Sequence, residues 1–196
     1  MHEQCHGFTH DNQWHAENIY LGNGTFLNIS ITSVFDSAEM NDSIPEALRT
    51  GRFDQYLGEN ASPYMTSRQH GAYGLLDEFT AYCWGMDTYV KLYDYYKGTD
   101  AVRWGNDTYV SYAEFRYYIL HYMLYARDNH PEVYQGILKN DAFRQAFSAI
   151  DERFGALISE WRASGHGNLY FEDRYQSLMT ELQKPEYQQM AVLLRP

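Results

Sequence analysis

From residue 107 onward apolar and aromatic side chains recur every three or four positions, and this period confines the chain to a mainly α architecture. Two stripes carry it: Tyr112, Phe115, Tyr118, Ile119 and Tyr122, then Phe143, Phe147, Ile150, Phe154 and Leu157. Each set falls on one helix face, where such residues form core rather than a cofactor box. The period predicts helices over residues 112–127, 131–138, 141–161, 169–183 and 185–194, with Pro or Asp at several of the starts. Upstream, helical spacing over 70–97 ends at Gly98, and a short helix over 44–57 carries Pro45 in its first turn. Residues 58–68 read as a loop, and a turn-rich connector is expected from Gly98 through Asn106. One segment has a different period. Residues 18–35 alternate apolar and polar side chains on both sides of Asn23-Gly24, a strong signal for a β-hairpin.

The chain has 196 residues, enough for one domain with a sizeable core. Its 17% aromatic content points to a packed globular protein. A formal net charge of −11 repels phosphate backbones, so nucleic acid is not an expected partner. No apolar run approaches the length of a membrane span. Nothing in the sequence specifies an oligomeric state.

The chemistry concentrates at the start of the chain. His2-Glu3-Gln4-Cys5-His6 has the pattern H-E-x-x-H. On a helix, imidazoles four residues apart share one face and can bind one metal ion, zinc being the expected one. Glu3, directly after the first histidine, is placed to act as general base toward water at that metal. A catalytic zinc site needs a third protein ligand. His10 follows His6 by four residues rather than the six of the metzincin pattern, and is set aside. Glu78 is the better choice: a carboxylate among Leu75, Leu76, Phe79 and Ala81 needs neutralising, and a metal would do that.

In these residues the chain resembles the gluzincins, zinc peptidases that combine an HExxH helix with a glutamate ligand from a later helix. The resemblance covers at most about the first 90 residues. It implies metal ligands at His2, His6 and Glu78, a general base at Glu3, a Zn2+ cofactor, and a peptide or protein as substrate. It also implies a zincin-like helical subdomain with one small hairpin and a C-terminal helical bundle. Residues 1–196 are then a single domain, with the metal site in 1–97 and a supporting helical portion in 107–196. Many gluzincins carry an acidic residue four places after the ligand glutamate, where it orients a ligand histidine; here that place holds Tyr82. Either Tyr82 or Asp77 is left to fill the role.

Such chemistry also needs a donor for the tetrahedral oxyanion. His70 and Tyr73, just before Glu78, and His166, in a Gly-rich loop, are the candidates. Cys5 and Cys83 lie in the two helices that would meet at the metal, as a disulfide in an exported protein or as two buried thiols. An HExxH helix normally follows earlier turns and a supporting sheet, so the expectation is a longer protein whose true start lies upstream of Met1, secreted or at the cell surface. The rival reading is a non-catalytic helical binding or structural module.

Overall fold

The computed structural model describes residues 1–9, 16–99, 102–165 and 171–196, without the side chains of Phe8 and residues 102–106. The described chain is mainly α with one small hairpin. Helix α1 (His2–Thr9) leads into strands β1 (Ala16–Gly22) and β2 (Thr25–Ser30). The strands pair antiparallel, with Ile19 opposite Leu27 and Tyr20 opposite Phe26. Asn23 and Gly24 have φ of 51° and 74°, the left-handed pair that a tight hairpin turn requires.

The expected single helix over 44–57 is instead broken. A 3-10 turn covers Ser37–Ser43 and another Glu46–Leu48, with Pro45 as the cap of the second, before α2 (Gly51–Tyr56). Thr50 interrupts the run because its side chain accepts from the Phe53 N–H and caps α2. Part of the expected loop over 58–68 is helical, as α3 (Thr66–Gln69). The 70–97 pattern divides into α4 (Ala72–Lys91) and α5 (Tyr93–Tyr96).

Helix α6 (Val102–Asn129) begins earlier than the sequence suggests, running through residues read as connector. Tyr109, Ala113, Phe115, Tyr117 and Tyr118 are fully buried along it, and packing of that face overrides the poor helix formers Gly105 and Asn106. Helices α7 (Pro131–Leu138), α8 (Asp141–Ser164), α9 (Glu172–Leu182) and α10 (Pro185–Leu193) follow closely where the period places them. Asn140 caps α8 by accepting from the Phe143 N–H.

Helix α4 is the centre of the molecule. From Ala72 to Ala81 every residue is buried, so this helix is enclosed on all sides. Gly74 permits the approach of α3, since a Cβ there would collide with the Thr66 carbonyl. Phe79 meets Phe147 and Phe154 of α8 and Tyr112 of α6, with ring centroids 5.5–6.3 Å apart. The aromatic stripes of the C-terminal helices therefore brace α4 next to the position that carries Glu78. Cys5, Ala81 and Trp84 form a small apolar cluster that holds α1 against α4. Trp84 also donates its indole N–H to the Tyr20 carbonyl, fixing the hairpin on the same helix. No described helix is long and apolar enough to cross a membrane.

Candidate metal centre

The docking of α1 on α4 turns one face of α1 toward Glu78. His2 and His6, one turn apart, bring their Nε2 atoms to 3.2 Å from each other. Glu78 Oε2 lies 3.6 Å from His2 Nε2 and 3.5 Å from His6 Nε2. These three groups are the set among the described residues whose ligand atoms converge as a metal site would require. Zinc bonds of about 2.0–2.1 Å at tetrahedral angles place ligand atoms roughly 3.4 Å apart, and the three separations bracket that spacing.

Two further features suit a cation. Glu78 is 5% exposed, and its Oε2 is buried without a hydrogen bond of normal geometry. A buried carboxylate oxygen left in that state is costly unless a positive charge joins it. Burial pushes its carboxyl up from the usual range. The two imidazoles respond oppositely. Burial and the neighbouring charge on His6 push His2 down to about 4. Burial also disfavours charge on His6, but hydrogen bonds to Asp77 and Glu78 outweigh it and hold His6 up to about 10.

Of Asp77 and Tyr82, it is Asp77 that hydrogen-bonds one of the two histidines. It is fully buried, and its Oδ2 accepts from His6 Nδ1 at 2.7 Å while its Oδ1 accepts from the Thr9 hydroxyl at 2.6 Å. With Nδ1 held by a carboxylate, His6 turns Nε2 toward Glu78, the tautomer and direction a ligand needs. Thr9 lies three residues after His6 and returns to the same face of α1, a periodicity visible in the sequence but overlooked there. We expect Asp77→Asn to weaken zinc binding by about 10–100-fold, measured by competition titration. Unchanged affinity would remove Asp77 from this role.

Tyr82 does something else. Its ring meets the His2 imidazole edge-on at 4.4 Å, while the Arg52 guanidinium lies 4.7 Å over the same ring. Phe115 stacks on it at 5.1 Å, and its hydroxyl is 3.1 Å from that of Tyr56. Arg52 is itself held by Glu114 at 2.8 Å and Asp107 at 2.9 Å. Tyr82 therefore supports His2 by packing, where Asp77 supports His6 by a hydrogen bond. Tyr56 and Arg52 arrive on α2, and no local sequence signal marks either one.

Glu3 is exposed on α1 and lines, with His2, Tyr56 and Tyr82, a cleft of about 640 Å³. Of the expected oxyanion donors, Tyr73 and His70 are not brought there. Tyr73 is fully buried and its hydroxyl is engaged by Thr32 at 2.8 Å and Asn140 at 3.2 Å. The reason is helical phase: five residues before Glu78 on α4 is about 140° around the helix. His70 ends α3 and pairs with buried Glu17 at 3.0 Å, outside the cleft wall. His166 and His10 lie outside the described residues. Cys5 and Cys83 are free thiols, both buried. Burial pushes the Cys5 thiol up to about 12 and Cys83 upward as well, so neither is a thiolate nucleophile near neutral pH.

Comparison of the chain with protein-family models, with curated proteins and with solved structures finds no match.

Proposed function

We propose that this chain carries the active centre of a zinc-dependent peptidase, with His2, His6 and Glu78 holding the metal and Glu3 acting as general base. The observation that carries this reading is the set of three ligand-atom separations of 3.2, 3.5 and 3.6 Å. The donor set of two imidazoles and one carboxylate is the one used in catalytic zinc sites that keep a fourth position open. Asp77 gives His6 the hydrogen-bonded support such sites use, and Tyr82 packs against His2.

Zinc held by these residues would supply Lewis acidity and make a water molecule more acidic. The chain's residues supply the rest. Glu3, in the cleft wall one position after His2, takes the proton from the attacking water and passes it to the departing amine. The buried core around α4 keeps Glu78 and Asp77 fixed while α1 contributes the residues that face solvent. Tyr56, whose hydroxyl is 3.1 Å from that of Tyr82, lines the same cleft as His2.

The test is metal removal. Purified protein should hold close to one zinc per chain and cleave a denatured protein such as casein. Dialysis against a strong chelator should abolish cleavage, and one equivalent of zinc should restore it. Cleavage that persists after complete zinc removal would refute the proposal. A folded protein that takes up no zinc would favour the non-catalytic helical module.

A further inference from the structure

Strand β1 carries an acid where its pattern calls for an apolar residue. Side chains alternate along a strand, so Glu17 shares the inward face with Ile19, and the two are 1% and 0% exposed. Glu17 lies opposite Ile29 of β2, which is also fully buried. This carboxylate belongs neither to the lining of the cleft nor to the converging ligand set. Its Oε1 is 3.0 Å from His70 Nδ1, while its Oε2 is buried with no hydrogen-bond partner among the described residues. A buried carboxylate in that state is costly, and His70 is the described group that bonds it.

His70 is held where it can be that partner. It caps α3, its N–H donating to the Thr66 carbonyl, and its own carbonyl accepts from the Tyr73 N–H at the start of α4. Gly71 follows with φ of 54°, so close to the Tyr122 hydroxyl that a Cβ would collide with it. The corner between α3 and α4 is therefore fixed, and the Glu17–His70 contact ties β1 to it. Because β1 also packs on α1 and α4, the tie bears on how the histidine-bearing helix is seated. The His70 side chain is 24% exposed, so the pair can exchange a proton with solvent.

Burial pushes Glu17 up to about 7; Asp77 of α4 adds to this, while His70 and His6 of α1 oppose it. The hydrogen bond to Glu17 outweighs burial and raises His70, and Asp77 acts in the same direction. Both groups thus hold a proton more tightly in the folded chain than in the unfolded one. Their contribution to stability is greatest in acid and is lost as the pH rises through about 7 and beyond. Once the shared proton has left, an ionised Glu17 lies within reach of the Asp77 charge, and His6 and Thr9 already occupy the Asp77 oxygens.

We propose that Glu17 and His70 form a pH-sensitive latch: with a proton between them they hold the hairpin on the α3–α4 corner, and its loss in alkaline solution lets the hairpin lift. Hydrogen exchange followed by mass spectrometry tests this. Protection of residues 16–30 is read relative to α8 in the same sample, which cancels the intrinsic pH dependence of exchange. In the unaltered protein that relative protection is expected to fall by up to about tenfold per pH unit above about pH 7. Glu17→Gln keeps the size and removes the charge, and should flatten the profile to within about twofold. Glu17→Met gives the inward face an apolar residue and should act alike, so one misfolded variant leaves the other decisive. Any pH dependence of the metal centre is common to all three proteins. A flat profile in the unaltered protein, or an undiminished fall in the variants that fold, would overturn the latch.

Discussion

Glu3→Gln is expected to lower kcat for peptide hydrolysis by at least about 10²-fold, with zinc still bound near one per chain. The substitution keeps the size and most of the polarity of the side chain and removes only its ability to take a proton. Glu3 is exposed on α1 and makes no contribution to the cluster of Cys5, Ala81 and Trp84 that docks this helix. The fold and the ligand set should therefore survive intact. Because a general base acts in the transition state, the loss should fall on kcat and on kcat/KM together, with KM little changed. Steady-state kinetics combined with elemental analysis reads both quantities on one sample. A variant that keeps half or more of the original kcat with zinc bound would leave Glu3 without a chemical role.

The convergence of His2, His6 and Glu78 was legible because its signals are local or compositional. Two histidines at i and i+4 need only a helix to share a face, and α1 supplies it over eight residues. Glu78 stood out as a carboxylate in an apolar run, and the structure buries it with its Oε2 turned toward His2 and His6. The hairpin was equally plain, since Asn23-Gly24 fits a turn that needs positive φ at both positions. What escaped depends on contacts between elements distant in the chain. Whether Asp77 or Tyr82 orients His6 is decided by the angle at which α1 crosses α4, and the sequence does not state that angle. Tyr56 and Arg52 belong to a six-residue helix whose placement follows from the Thr50 cap and the burial of Phe53.

The error over Tyr73 is instructive in another way. Proximity in sequence suggested that it would lean toward Glu78, but the phase of a single straight helix turns it toward Thr32 and Asn140 instead. The same phase rule, applied forward from Glu78, finds Tyr82, Gly85 and Tyr89, which line the cleft. The misplaced start of α6 has the opposite cause. There the local residues are weak helix formers, and the burial of Tyr109, Ala113 and Phe115 decides the outcome.

The largest expected change in stability belongs to Glu78→Gln, and it should be seen only when zinc is present. Gln fills nearly the same space in the buried site, so the metal-free variant should melt close to the unaltered protein. Zinc separates the two. A ligand that binds only the folded state stabilises it by about 4 kcal/mol at 1,000 times its Kd. For a chain of this size that is a rise in Tm of roughly 8–16 °C. Exchanging the charged ligand for a neutral amide is expected to weaken zinc binding by about 10³-fold, given the 10–16 kcal/mol typical of complete zinc sites. At the same free zinc concentration the variant would then sit near its own Kd and gain only about 0.4 kcal/mol. Thermal melts with and without zinc, at buffered free metal, read the difference directly. If the Glu78→Gln protein shows the full zinc-dependent rise, the carboxylate is not a ligand, and the geometry that joins α1 to α4 must serve some other purpose.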